Sequence, residues 1–80
     1  MDPRFKLVIA SDVDYEELVG ELYFDDQVVC LVTREEGPTN MKLQIFPPKD
    51  GSSWIFPLAD LTQALSHLQR ELQYDASDPG

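Results

Sequence analysis

The side chains of this chain that could do chemistry are fifteen carboxylates, one cysteine and one histidine. A cysteine–histidine pair would need Cys30, on a predicted strand, to meet His67, on a predicted helix, and no local spacing favours that arrangement. Cys30 is better interpreted as a small strand hydrophobe, and His67 as a residue at the solvent edge of the helix. We therefore expect no catalytic site, no cofactor and no enzyme.

The acidic segment Asp12–Glu17 has enough carboxylates to be considered as a calcium-binding loop. An EF-hand needs a glycine at the sixth position of its loop and a glutamate at the twelfth. Counting from Asp12, those positions hold Glu17 and Tyr23, so the motif fails. We therefore predict no metal site.

Most carboxylates in the first half of the chain fall in three predicted loop clusters: Asp12–Glu17, Asp25–Asp26 and Glu35–Glu36. In an antiparallel meander, the first and third clusters can share one end of the sheet. Residues 1–40 contain ten acidic residues and three basic ones. Acidic side chains interleaved with tyrosine suit the capture of a protein surface rich in arginine and lysine. The alternative is that these loops only keep a small protein in solution. The predicted partner-binding residues are Asp12, Asp14, Tyr15, Glu16, Glu17, Glu21, Tyr23, Asp25, Asp26, Glu35 and Glu36.

Four segments are typical of strands, because they are rich in β-forming residues or alternate between apolar and polar positions. They are Phe5–Ala10, Leu18–Phe24, Gln27–Thr33 and Met41–Phe46. Asp25–Asp26 predicts a two-residue turn, with a loop of three to five residues as the alternative. The alternation of Met41, Leu43 and Ile45 predicts a half-buried fourth strand. Trp54–Phe56 is either a fifth strand or an apolar anchor before the helix.

A C-terminal helix is indicated by leucines spaced three and four residues apart, which form one stripe. They are Leu58, Leu61, Leu65, Leu68 and Leu72. Pro57 suits the first turn, Asp60 and Arg70 suit the two ends of the helix dipole, and we expect the helix to end near Tyr74.

The predicted fold is α+β, because a sheet this small needs a cover on at least one face. We expect an antiparallel four- to five-stranded β-meander with one C-terminal α-helix packed on one face. We expect residues 1–74 to form a single domain and residues 75–80 to form a flexible C-terminal tail.

A two-residue turn at Asp25–Asp26 would place Leu22 opposite Val29 and Glu21 opposite Cys30. Since side chains alternate between the faces of a strand, the two faces can be assigned. The first collects Leu18, Leu22, Phe24, Val29 and Leu31, and the second collects Val19, Glu21, Tyr23, Val28, Cys30 and Val32, edged by Lys6, Lys42 and Gln44. One helix cannot cover both faces, so either the sheet curls on itself or the second face binds another chain. A homodimer through this uncovered face is one alternative.

Composition narrows the class of partner. The chain has 80 residues, which suits one domain, and its net charge of −9 disfavours nucleic-acid backbones and anionic membrane surfaces. The same charge favours a basic protein. With a single cysteine no internal disulfide can form, and the N-terminus has no long apolar stretch, so we expect a cytoplasmic protein.

The segment Ala10–Asp26, followed by Val28–Glu36 and Gly37, resembles short immunity proteins of bacterial polymorphic-toxin and contact-dependent inhibition systems. The resemblance covers roughly residues 5–46 and lies in a pattern of strand, acidic loop and hairpin. It implies a cytoplasmic inhibitor that binds one toxin tightly and blocks its active site or a neighbouring surface. The acidic charge would suit a basic nuclease toxin, with carboxylates occupying the positions of substrate phosphates.

Two alternatives to an immunity protein stay open. The first is a small cytosolic adaptor or regulatory domain that binds a basic protein or forms a homodimer. The second is a small metal-dependent enzyme or cation-binding protein that uses Asp12, Asp14 and Glu16.

Overall fold

The computed structural model describes residues 2–11 and 13–76, with the side chains of residues 74–76 left aside. Its elements are β1 (Phe5–Ala10), β2 (Val19–Phe24), β3 (Gln27–Thr33), β4 (Lys42–Ile45) and α1 (Leu58–Ala76). The strands form one antiparallel sheet in the order β1-β2-β3-β4, and α1 packs mainly on β1 and β2. The predicted α+β meander with a C-terminal helix is confirmed. Residues 52–57 form no strand, so Trp54–Phe56 is an apolar anchor and not a fifth strand.

The strand boundaries follow the sequence closely. β1 and β3 begin and end where they were predicted, β2 begins one residue later, and β4 is one residue shorter at each end. Asp25 (φ 52°) and Asp26 (φ 66°) both adopt the left-handed conformation. Positive φ at both central residues is what a two-residue turn of type I′ requires, and aspartate tolerates it better than most residues. The hairpin therefore turns on two residues, as predicted.

The pairing of β2 with β3 contains a β-bulge that the sequence pattern does not predict. Tyr23 pairs with Val28, but Leu22 pairs with Cys30, so Val29 is an extra residue on β3. A shift of one residue moves every later side chain to the other face of the sheet. Cys30 therefore shares the helix-covered face with Leu22.

The predicted faces are wrong beyond this bulge. Cys30 and Val32 were expected beside Glu21, but they lie under the helix in the core. Leu31 was expected beside Leu22, but it pairs with Glu21 on the face without a helix. We call this second face the open face because no helix of the described residues packs on it, although Val19 and Leu31 are buried there. It contains Lys6, Val8, Ala10, Val19, Glu21, Tyr23, Val28, Leu31, Thr33, Lys42 and Gln44.

β4 is more exposed than its alternating pattern predicts. Leu43 and Ile45 pair with Val32 and Cys30, so they lie on the helix side of the sheet. Their exposed fractions are nevertheless 47% and 67%, because α1 lies over the β1–β2 half. The prediction of a half-buried fourth strand is therefore wrong for both residues.

The buried stripe of α1 differs from the leucine stripe at its first member. Leu58 is 78% exposed, whereas Leu68 and Leu72 are fully buried and Ala64 joins them in the core. The helix extends to Ala76, two residues beyond its expected end, so Arg70 lies farther from the C-terminal end than expected and the last turn contains no basic residue. The remaining residues of the predicted tail, 77–80, lie outside the described residues. No helix in the described ranges combines the length and apolarity that crossing a membrane requires.

A glycine allows the helix to approach the sheet closely. A Cβ atom added to Gly20 would lie 2.9 Å from the Cγ and Cδ1 atoms of Leu68. A larger residue here would push α1 away from β2, because a well-packed core has no room for an extra carbon.

Four aromatic rings close the sheet at the hairpin end, and we call them the aromatic cluster: Phe5, Phe24, Trp54 and Phe56. Phe5 and Phe24 are cross-strand partners, and their ring centroids are 4.9 Å apart. The Phe56 ring lies 5.1 Å from Phe5 and 4.9 Å from Phe24. Trp54 stacks on Phe56 and donates its indole N–H to the carbonyl of Phe46 at 2.8 Å. The anchor segment thus holds the start of α1 against the sheet.

Candidate protein-binding surface

Two acidic loops meet at the end of the sheet opposite the aromatic cluster. One loop precedes β2 and the other follows β3. Both lie at the same end of the sheet because β2 and β3 are antiparallel. We call residues 13–17 and 34–36 the acidic end. It contains five carboxylates, those of Asp14, Glu16, Glu17, Glu35 and Glu36. The prediction that the first and third acidic clusters share one end of the sheet is confirmed.

Glu35 joins the two loops of the acidic end. Its Oε1 accepts a hydrogen bond from the backbone N–H of Glu16 at 3.0 Å, and its Oε2 accepts one from the N–H of Glu17 at 2.7 Å. Hydrogen bonds to an ionised acceptor are stronger than neutral ones. A carboxylate has about four lone-pair positions, so Glu35 can hold the loop and still accept from a partner.

Arg34 ties the acidic end to the helix. Its side chain is only 10% exposed, and one guanidinium nitrogen lies 3.2 Å from Oε1 of Glu17. Another donates to the carbonyl of Leu72 at 3.5 Å, while Nε has no hydrogen-bond partner among the described residues. The cation thus lies between a carboxylate and the C-terminal part of α1, where the helix dipole favours positive charge. Gln73 adds a weaker link by donating to the carbonyl of Pro38 at 3.4 Å.

The second cation at this end is Lys42, which forms an ion pair with Glu36. Both side chains are more than half exposed, at 68% and 59%. An exposed pair of this kind contributes roughly 0–1 kcal/mol and leaves the carboxylate accessible. With Arg34 and Lys42 as counter-ions for five carboxylates, the acidic end keeps an excess of negative charge.

The open face contributes a second, separate group of predicted residues. The Tyr23 hydroxyl donates to Oε1 of Glu21 at 3.1 Å. Burial, followed by the hydrogen bond to Glu21, raises the pKa of Tyr23 above its usual value, so the phenol keeps its proton. These two residues, with Lys6, Val8 and Asp26, line a shallow depression of about 240 Å³.

Asp25 and Asp26 lie at the hairpin turn, on the opposite side of the molecule from the acidic end. The N–H of Asp25 donates to the carbonyl of Arg4 at 3.0 Å. The Arg4 guanidinium carbon lies 4.7 Å from the centre of the Phe24 ring, and its nitrogens bind Asp2 at 2.7 and 3.1 Å. The carboxylates here therefore border a cation and the aromatic cluster.

The structure thus divides the predicted partner-binding residues among three places. Asp14, Tyr15, Glu16, Glu17, Glu35 and Glu36 come together at the acidic end; Glu21 and Tyr23 lie on the open face; and Asp25 and Asp26 form the hairpin turn. Asp12 lies outside the described residues.

Cys30 and His67 differ in their exposure to solvent. Cys30 is 2% exposed, and burial raises the pKa of its thiol to about 11. A nucleophilic cysteine needs the opposite shift, since the thiolate is the reactive form. His67 is exposed and lies 3.4 Å from Glu71, one turn along the helix. In the described ranges, no group of three or more acidic, histidine or cysteine side chains is placed to hold a metal ion.

No protein-family model matches this chain. Neither a curated protein nor a solved structure matches it.

Sequence reasoning missed the two cations that organise this end. Arg34 follows Cys30 and Val32 at alternate positions, which indicates that the three residues share one face of the sheet. The sequence did not show that this face is the core face, because that depends on the bulge at Val29. No comparable signal exists for Lys42 and Glu36, because their contact depends on how the loop between β3 and β4 folds back.

Proposed function

We propose that this protein is an immunity protein, an inhibitor that binds and neutralises a basic bacterial toxin through its acidic end. The observation that carries the proposal is the convergence of two acidic loops on one exposed end of the sheet. The resemblance of residues 5–46 to immunity proteins supports the same class. A cytoplasmic location belongs to this proposal, because the toxin acts inside the cell that it protects.

The acidic end has the properties of a pre-ordered binding surface. Glu35 holds both N–H groups of the facing loop, and Arg34 holds that loop to the helix. Because this loop is already held in place, it loses less conformational entropy when a partner binds. The exposed carboxylates also steer a basic protein during encounter, an effect that weakens as salt is added.

A basic nuclease is the toxin that this surface suits best. Its substrate channel would present arginine and lysine side chains in an arrangement that binds phosphates. Carboxylates fixed at the acidic end would accept charge-assisted hydrogen bonds from the same side chains. Inhibition would then follow from occupation of the substrate channel and would require no chemistry by the inhibitor.

The first experiment is capture of the partner from a lysate of the source organism at low salt, followed by mass spectrometry. Three immobilised proteins are compared: the unmodified chain, a Glu16→Lys variant, and a Thr62→Lys, Gln63→Lys double variant. Both variants make the net charge more positive by two, but Thr62 and Gln63 are exposed on α1, away from the acidic end. We expect the unmodified chain and the double variant to retain one basic protein that Glu16→Lys loses.

The second experiment tests neutralisation directly. The captured protein is expressed in a host cell with and without this chain, and growth is measured. Toxicity that this chain suppresses, and that the Glu16→Lys variant suppresses less well, is the expected result. Capture of an acidic protein, or equal capture by all three baits, would contradict the proposal and favour the alternative of a small adaptor domain.

A further inference from the structure

A second surface of the molecule lies beside α1, where the helix leaves the sheet uncovered. Leu43 and Ile45 on β4 face the helix side but are 47% and 67% exposed. Between β4 and the helix lies a groove of about 170 Å³, whose apolar lining comes from Val32, Met41, Leu43 and Leu65, with Lys42 and Gln69 at its sides. This groove is a continuation of the core that no element of the described chain closes.

β4 is also an edge strand. It pairs with β3 on one side only, so the backbone N–H and C=O groups on its outer side have no strand to bind within the described residues. An exposed edge with apolar side chains is a template for another strand. Lys42 protects the beginning of the strand, but Leu43–Ile45 carries no charge.

The charge of this region determines which partner suits it. Residues 41–58 contain two lysines and one aspartate, whereas the whole chain has a net charge of −9. Two copies that approach through their acidic ends would place carboxylates against carboxylates. Two copies that approach through β4 would bring together a part of the surface with few carboxylates, so like-charge repulsion is smaller there than between two acidic ends. A basic partner, in contrast, gains nothing from this region.

We propose that β4 pairs with β4 of a second copy of this chain, forming a symmetric dimer with a continuous eight-stranded sheet. A two-fold axis perpendicular to the sheet keeps both helices on the same side. Side chains of paired antiparallel residues share a face. An axis through Gln44 therefore places Leu43 opposite Ile45 of the partner subunit, and these apolar residues close the groove between the two helices.

The expected dimer is weak and becomes stronger as salt is added. β4 has four residues, and Pro47 and Pro48, which lack N–H groups, limit its extension. The contact is therefore at the small end of specific interfaces, with a dissociation constant of roughly 1 μM to 1 mM. Because both copies are strongly acidic, added salt should strengthen the dimer by screening their long-range repulsion. Salt should weaken the binding of a basic toxin, so the two interactions respond in opposite directions.

The test is sedimentation equilibrium of the purified chain at roughly 0.05 M and 0.5 M sodium chloride, a range over which the screening length falls several-fold. We compare the unmodified chain with Ile45→Lys and with Val13→Lys. Both substitutions replace an exposed apolar residue by lysine, since Ile45 is 67% and Val13 100% exposed. Only the first lies on β4, so any general effect of the added charge is matched.

We expect a dimer that tightens with salt, a rise in its dissociation constant of about tenfold or more for Ile45→Lys, and no comparable rise for Val13→Lys. Hydrogen exchange of the unmodified chain provides a readout that needs no variant. The amides of β4 on its outer edge should become more protected as protein concentration rises.

Three results would overturn the proposal. They are a monomer at millimolar concentration in high salt, a dimer that Ile45→Lys leaves intact, and β4 amides whose exchange does not depend on concentration. None of these results bears on the capture of a basic toxin, because that capture rests on the acidic end and is measured in low salt. Conversely, a chain that binds no toxin would still be expected to pair through β4.

Discussion

At one end of the sheet the loops of the acidic end are held by charged groups, and at the other end the anchor segment is held by the aromatic cluster. The first end depends on Glu35, Arg34 and two backbone N–H groups. The second depends on ring contacts between 4.9 and 6.3 Å, with one indole hydrogen bond. Burial of apolar area stabilises the aromatic end at any salt concentration, whereas screening and protonation act on the acidic end. The molecule thus separates the part that holds the fold from the part proposed to bind.

The largest expected effect is at the aromatic end. Phe5 is 7% exposed and contacts two other rings, so Phe5→Ala should lower the free energy of unfolding by about 3–5 kcal/mol. That is a large part of the 5–15 kcal/mol typical of a small domain. Urea denaturation followed by tryptophan fluorescence measures it. Ile55→Ala is the control, because Ile55 adjoins two cluster members in sequence but is 89% exposed, and should change stability by less than about 0.5 kcal/mol.

The thiol of Cys30, which is buried in the core between the two ends, should make the free energy of unfolding depend on pH in the alkaline range. Its thiol pKa is raised from 9.0 to about 11 by burial, so the folded state favours the protonated form. The stabilisation is fully present below pH 9 and is lost as pH rises through about 11, for a total of roughly 2–3 kcal/mol. Denaturation curves across this pH range should show it. Cys30→Ala, which has no thiol, should have a shallower alkaline decline; equal slopes would contradict the prediction.

At the acidic end, Glu35→Ala should have a smaller and more local effect. The substitution removes the acceptor of two backbone N–H groups, and we expect a loss of about 1–2 kcal/mol because the site is exposed. Amide exchange of Glu16 and Glu17 should accelerate while exchange in the core strands changes less. Glu36→Ala is the matched control, since its carboxylate contacts only Lys42 among the ion pairs described. Similar amide exchange in the two variants would show that Glu35 does not hold the loop.

The smallest expected effect is the titration of Asp2, at the rim of the aromatic end. Hydrogen bonds from the Arg4 side chain and backbone lower the pKa of this carboxyl from 3.8 to about 2. Because the folded-state pKa is lowered, the stabilisation is present above pH 3.8 and is lost as pH falls through about 2. Carbon-13 NMR of the carboxyl group should show the low midpoint, and Arg4→Gln should return it towards 3.8. A midpoint that Arg4→Gln leaves unchanged would assign the shift to another cause.

Much of the fold could be predicted from the sequence because its signals are local. Strand composition located β1 and β3 to the residue, and Asp25–Asp26 indicated the hairpin. The leucine spacing indicated the helix, but it included Leu58, which is 78% exposed. Periodicity reports which residues share a helix face, and it cannot report where the sheet beneath that face ends.

The candidate surface could be predicted in part. An antiparallel meander brings the loop before β2 and the loop after β3 to one edge, so the meeting of Glu16–Glu17 with Glu35–Glu36 followed from strand order. The other predicted binding residues lie elsewhere: Glu21 is on the open face, and Asp25–Asp26 form the turn at the far end of the sheet. Which carboxylate accepts backbone hydrogen bonds depends on loop geometry that no short-range pattern encodes.

The sequence by itself determined the elements, their order, the two-residue hairpin and the negative charge of the loops, because each depends on neighbouring residues. Only the tertiary structure decided the register beyond Val29, since the local sequence does not show which of two adjacent valines is left unpaired. That single residue decided that Cys30 and Val32 are core and that Leu31 lies on the open face. It also left Leu43 and Ile45 on the helix side of the sheet, beyond the reach of a helix that covers β1 and β2. Registers and coverage are set by contacts between distant segments, and those contacts exist only once the chain has folded.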